Sequence, residues 1–145
     1  VQSQVLNLLA ELRGERGLAL ILIAHDLAVV GQVCDRIAVM YLGRVVEEGP
    51  ADQLLATPRH PYSRALVGSV YGLGETRRPR QVLTGEAPDP AAPPPGCPFH
   101  PRCPEATAQC RAERPALAER DCDGQVRRTA CHLYAPVEAA EGAAA

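Results

Sequence analysis

The sequence predicts an α/β chain made of two dissimilar parts, on three observations. "LALILIAHD", residues 18–26, opens with seven apolar residues in a row, which fits a strand buried on both faces, as in parallel sheets covered by helices. "RIAVMYLGRVVEEG", residues 36–49, reads as two strands joined at Leu42-Gly43-Arg44, a hairpin with glycine at its turn. Five of the six cysteines lie after residue 96, beyond a proline-rich stretch. Chemistry based on thiols therefore belongs to the second part.

The remaining elements follow in order. In "QVLNLLAELR", residues 4–13, apolar side chains fall at 5, 8, 9 and 12, one face of a helix that Gly14 and Gly17 bring to an end. Asp26 is placed to cap a short helix over "LAVVGQVCD", in which Cys34 reads as a small buried hydrophobe. "ADQLLATP" and "HPYSRALVGSVYG" read as two more short helices, the first halted by Pro58 and the second with Pro61 in its first turn. The His60-Pro61-Tyr62 triplet is read as structural, with docking as the alternative. These elements set the first unit at residues 1–74.

Between Glu75 and Gly96 there are six prolines and almost nothing apolar, the composition of a semi-rigid linker. The linker and the cysteine segment together occupy 75–134, and the low-complexity end, 135–145, reads as a disordered tail.

Composition narrows the function classes. A chain of 145 residues with no Trp, one Phe and four Tyr can build only a small, aliphatic core. Fifteen basic residues, all Arg, against seventeen acidic ones leave a net charge of -2, which argues against nucleic acid or an anionic membrane as partner. The absence of Lys reads as coding bias in a GC-rich genome. No apolar run approaches the roughly 18 residues of a membrane span, and no basic signal region opens the chain, so the expectation is a soluble, cytosolic piece. In a reducing compartment, cysteines point to metal binding or catalysis before disulfides.

The candidate metal ligands are Cys97, Cys103 and Cys110, within "CPFHPRCPEATAQC", and Cys131 twenty residues further on. The fourteen residues hold too little apolar material for a core of their own. Four thiolates can hold zinc or an iron–sulfur cluster. Structural zinc sites favour close C-x2-4-C pairs, whereas the spacings here are x5 and x6. A cluster is the leading reading, with zinc and a metal-free or disulfide-linked loop as alternatives. Cys122, in "ERDCDGQ", competes with Cys131 for the fourth position, and His100 and His132 read as outer groups.

These motifs, taken in order, resemble a known family. "LALILIAHDLAVVGQVCDRIAVMYLGRVVEEG" resembles the histidine-switch region of ABC transporter ATP-binding subunits. "TPRHPYSRAL" is similar to the element that follows it in the oligopeptide and dipeptide importer branch, and "GCPFHPRCPEATAQC" with a late "ACHL" to that branch's cysteine-bearing extension. There is no G-x-x-x-x-G-K-[ST] loop, no Leu-Ser-Gly-Gly-Gln signature and no acidic catalytic strand in the sequence. The resemblance therefore implies a truncated C-terminal part of a P-loop ABC ATPase domain, then a Pro-rich linker and a small cysteine-rich metal-binding extension.

Several expectations come with that resemblance. In the intact protein His25 contacts the γ-phosphate of ATP, bound with Mg, and helps place the attacking water; from position alone it would read as a solvated loop histidine. Cys97, Cys103, Cys110 and Cys131 carry a [4Fe-4S] cluster, with zinc as the alternative. The expected partners are membrane permease subunits, a second ATP-binding subunit and, indirectly, a peptide-binding protein, but not nucleic acid. The expected location is cytoplasmic, peripheral on the inner face of the plasma membrane. The complete subunit is an ATPase importing peptides, and this piece alone is inactive. The alternative function is a non-catalytic, metal-bearing interaction module.

Overall fold

The structure is a computed structural model that describes residues 2–71, 83 and 85–137. Helix α1 (Gln2–Arg16) is tied to the next element by Arg13, which donates to the carbonyl of Val33 and to Asp35 at 3.0 Å. Helix α2 (Leu27–Val33) follows, with Asp26 at its N-terminal boundary as the sequence predicts. Strands β1 (Arg36–Tyr41) and β2 (Arg44–Pro50) form the expected hairpin. Its turn places Leu42 and Gly43 at φ 46° and 73°. Two consecutive left-handed residues match the right-handed twist of the flanking strands, and glycine at the second removes half of the steric cost. Helices α3 (Ala51–Ala56) and α4 (Pro61–Tyr71) also lie where the sequence places them.

The second part is more ordered than its composition suggests. A 3-10 turn (His100–Arg102) lies between Cys97 and Cys103, and helix α5 (Ala108–Ala112) carries Cys110. Strands β3 (Ala118–Asp121), β4 (Val126–Thr129) and β5 (Ala135–Pro136) then join the hairpin in one antiparallel sheet of order β1-β2-β4-β3-β5. Ala135 and Pro136, expected in the tail, thus pair with β3, while 138–145 lie outside the described residues. Residues 72–74 and, of the expected linker, 75–82 and 84 also lie outside them; residues 86–96 are without helix or strand.

One expectation does not hold. Residues 18–24 form no strand, and Ile21 and Ile23 are 95% and 94% exposed. Leu22 alone of this run packs against the core. A strand exists through its neighbours, and no strand among the described residues pairs with this run. The sheet that does form is antiparallel and assembled from later residues. No helix among the described residues is long and apolar enough to cross a membrane.

The core lies on one face of the hairpin. Ile37, Val39 and Tyr41 alternate inward from β1 and meet Val30, Val46 and Leu54. Cys97, Phe99 and Cys110 belong to the same cluster. The cysteine segment, too poor in apolar residues to bury itself, uses the hairpin's core.

A buried carboxylate fixes the start of α4. Glu47, 2% exposed on β2, accepts the N–H of Arg59 at 2.8 Å and that of His60 at 2.9 Å. The imidazole of His60 is itself buried, and its Nδ1 accepts the N–H of Tyr62 at 3.1 Å, which fixes that nitrogen as unprotonated. Burial first, and the charge of Arg64 second, hold His60 down to about 4.

Two outcomes follow. Replacing Ile21 and Ile23 together by Ser removes nearly fully exposed apolar surface, so self-association in sedimentation velocity should fall while Tm stays within a few degrees. For His60 the folded value lies below the unfolded 6.5, so its contribution is fully present above pH 6.5 and lost as pH falls toward 4. The loss amounts to about 3 kcal/mol. Denaturant titrations from pH 7 to 4 should show this slope, flattened in His60→Gln; equal slopes would exclude His60 as its source.

Candidate four-cysteine site

The loop carrying Cys97 and Cys103 is built around one glycine. Gly96 sits at φ 69°, and a Cβ there would lie 2.4 Å from the carbonyl oxygen of Cys110 and 2.7 Å from that of Arg111. Only a residue without a side chain lets the backbone come this close, and the approach lets the Cys97 N–H donate to the Cys110 carbonyl at 2.8 Å. From there the chain turns tightly. His100 N–H donates to Cys97 at 3.0 Å, Arg102 N–H to Phe99 at 3.0 Å and Cys103 N–H to His100 at 3.3 Å. Thr107 caps α5 by accepting the N–H of Cys110. That geometry delivers Cys110 toward Cys97.

The four cysteines expected as ligands converge. Burial raises the thiols of Cys97, Cys103 and Cys131, that of Cys131 up to about 12. Their mutual repulsion adds to this in all six pairings: Cys97 with Cys110, Cys103 with both, and Cys131 with all three. Backbone amides oppose it. Backbone hydrogen bonding at Phe99 and His100 for Cys97, at Glu105 for Cys103 and at Leu133 for Cys131 lowers these thiols in part. Cys110 has its partner in the Thr107 hydroxyl, 3.3 Å from its sulfur. That hydroxyl oxygen already accepts the Cys110 N–H, so its proton is free to serve the sulfur. Among the described residues, no three His, Cys, Asp or Glu side chains stand close enough together to hold a single metal ion.

Cys122 is elsewhere. It is wholly buried in the β3–β4 turn, where its N–H and carbonyl exchange hydrogen bonds with Gln125. Burial raises its thiol, and its charged neighbours are Arg59, Glu47, Asp123 and Arg127, with none of the other cysteines among them. Cys34 is half-buried against the core, in keeping with its reading as a small hydrophobe. The histidines next to the cysteines face backbone: His100 Nδ1 lies 2.9 Å from the Cys97 carbonyl and His132 Nε2 3.0 Å from that of Glu113. His25 is exposed at the end of the extended run 18–24.

The structure also brings in residues the sequence did not single out. Arg64 on α4 donates to both oxygens of Glu105 at 3.1 Å, to the Tyr134 hydroxyl at 2.7 Å, and through Nε and Nη2 to the Arg59 carbonyl. Burial weighs against its charge, but Tyr134 and Glu105 outweigh that and raise its pKa. The only local signal for any of these was Thr107 three residues before Cys110, a capping spacing.

Comparison with known proteins agrees with the order of these parts. Residues 46–110, from β2 to Cys110, match the family described as oligopeptide/dipeptide transporter, C-terminal region. The chain is 52% identical over 141 residues to "Probable peptide ABC transporter ATP-binding protein y4tS" of Sinorhizobium fredii, which covers 97% of this chain and 39% of that protein. It is 46% identical over 127 residues to the dipeptide transport ATP-binding protein DppF of Haemophilus influenzae, covering 87% of this chain and 38% of the relative. For the di/tripeptide transport ATP-binding protein DppF of Pseudomonas aeruginosa the identity is 46% over 133 residues, covering 91% and 40%. The chain spans about two-fifths of the length of the curated relatives it matches. On the matched region and along nearly all of its length, the chain is similar to the C-terminal part of oligopeptide/dipeptide ABC transporter ATP-binding subunits.

Proposed function

We propose that this chain serves, within the intact protein, in the ATP-binding subunit of a peptide importer, where ATP binding and hydrolysis drive solute transport. The observation that carries the reading is similarity over 97% of the chain to a peptide ABC transporter ATP-binding protein. On this reading MgATP supplies the driving reaction, and His25 contacts the γ-phosphate as charge develops there. Its exposed place, directly after a run that needs strand neighbours, suits a side chain that meets its ligand only when the sheet is complete. A second ATP-binding subunit and membrane permease subunits would be the partners, with a peptide-binding protein acting indirectly. The subunit would then lie at the inner face of the plasma membrane. The division at residue 75 is part of this proposal, and the second part includes β5, Ala135–Pro136.

We further propose that Cys97, Cys103, Cys110 and Cys131 hold one [4Fe-4S] cluster. Four thiols near enough to disfavour one another's charged form give a donor set suited to a metal-thiolate centre. Their spacing in sequence, x5 and x6, favours a cluster over zinc, whose structural sites use close C-x2-4-C pairs. Such a centre would also relieve the mutual repulsion of the thiols by fixing them as ligands, and its binding to the folded form alone can contribute on the order of 10 kcal/mol. The second reading, a non-catalytic metal-bearing interaction module, draws on the same thiols and would need no nucleotide.

Two experiments address these readings. In a longer protein carrying this C-terminal part, His25→Ala should lower ATP turnover about 100-fold with nucleotide affinity nearly unchanged. The 145-residue chain, which lacks a phosphate loop, serves as the inactive control; unchanged turnover in the variant would remove His25 from the reaction. Anaerobic reconstitution of the 145-residue chain with iron and sulfide should give about four irons per chain and an absorbance near 400 nm. Ser at position 97, 103, 110 or 131 should abolish that absorbance, whereas Cys122→Ser should keep it. Stoichiometric zinc in protein purified without oxygen would replace the cluster.

A further inference from the structure

The two cysteine-bearing turns most distant in sequence meet the same side chain. Cys103 lies two residues before Glu105, whose carboxylate receives Arg64 at 3.1 Å through both oxygens. Cys131 lies three residues before Tyr134, whose hydroxyl receives Arg64 at 2.7 Å. The guanidinium is anchored in turn on the Arg59 carbonyl, at 3.2 Å from Nε and 3.0 Å from Nη2, and the Tyr134 hydroxyl donates to the same carbonyl at 3.1 Å. All three nitrogens of one planar fork are therefore engaged. Arg59 itself is held by Glu47 and by an ion pair with Asp123 at 2.6 Å. This anchor is rigid and lies outside the cysteine segment.

We propose that Arg64 is a positioning residue that sets the separation of Cys103 and Cys131, so that both can bind one metal centre. The inference rests on the metal reading given above. Arg64 touches neither the centre nor a ligand sulfur. It acts on the two turns through Glu105 and Tyr134, which follow Cys103 by two residues and Cys131 by three. Lysine offers a point charge in place of the fork and cannot hold both partners and the carbonyl together, so it should not substitute.

The test uses the 145-residue chain as wild type, Arg64→Ala, Arg64→Lys and the charge-matched control Arg111→Ala. In the iron-loaded proteins, release to a chelator without oxygen should be at least 10-fold faster in both Arg64 variants and within 2-fold of wild type in the control. In the metal-free, reduced proteins, alkylation mapped by mass spectrometry should accelerate at Cys103 and Cys131 while Cys97 and Cys110 stay within 2-fold. A merely structural role would instead expose all four thiols together, and that result would overturn the proposal. Glu105→Gln should expose chiefly Cys103 and Tyr134→Phe chiefly Cys131, which keeps the proposal testable if Arg64→Ala fails to fold. Unchanged iron release and alkylation in Arg64→Ala, with a wild type that holds iron, would overturn the role of Arg64 alone. A wild type that takes up no iron would overturn the metal reading, and this inference with it.

Discussion

Phe99, the only phenylalanine in the chain, is 1% exposed, with the rings of Tyr41, His60 and Tyr62 at centroid distances of 5.2, 5.7 and 5.5 Å. Tyr41 and Tyr62 also meet each other at 4.7 Å. Tyr41 comes from the hairpin, His60 and Tyr62 from the start of α4, and Phe99 from the turn between Cys97 and Cys103. Each pair is worth about 0.5–1.5 kcal/mol beyond its burial, and removing a buried phenylalanine typically costs about 3–5 kcal/mol. In a chain so poor in aromatics, this contact sets where the first two cysteines can stand. The tilted and edge-on geometry fixes orientation as well as distance.

The polar counterpart is the pair of side chains that hold α4. Glu47 reaches from β2 to two amides at the helix start, and Arg64 reaches from the first turn of α4 to both ends of the cysteine region. The helix is thus held at its start by the hairpin and in turn holds the thiols. The His60-Pro61-Tyr62 triplet now has a physical account. His60 supplies an unprotonated nitrogen to the Tyr62 amide and a ring to Phe99, Pro61 begins the helix where its missing N–H costs nothing, and Tyr62 completes the aromatic group.

Local elements were legible because their signals are local. The helices at 2–16, 27–33, 51–56 and 61–71, and the hairpin with Gly43 at its turn, follow from periodicity, proline and glycine. The four thiols proposed as ligands came from spacing and from the resemblance, and Cys122 lies in the β3–β4 turn. What escaped was nonlocal. The apolar run 18–24 has the composition of a strand, but pairing is a property of neighbours, and composition does not say whether they are at hand. Strands β3 and β4 are four residues each and rich in charge, "AERD" and "VRRT", so neither alternation nor burial marked them. Glu47 and Arg64 looked like ordinary surface charges, since the partners of Glu47 lie 12 and 13 residues away and the side-chain partners of Arg64 lie 41 and 70 away.

The junction of β2 with β4 bears on how the chain is made. Glu47 pairs with Thr129, and the Thr129 hydroxyl donates to the Val46 carbonyl at 3.2 Å across 83 residues of chain. A ribosome adding about 5–20 residues per second needs roughly 4–16 s to travel that distance. Throughout that interval the outer edge of β2 is without its strand, while the hairpin beside it forms within microseconds. Synthesis therefore leaves an open sheet edge waiting on a segment about 80 residues further along the chain. The segment that closes the edge is the one that carries Cys131.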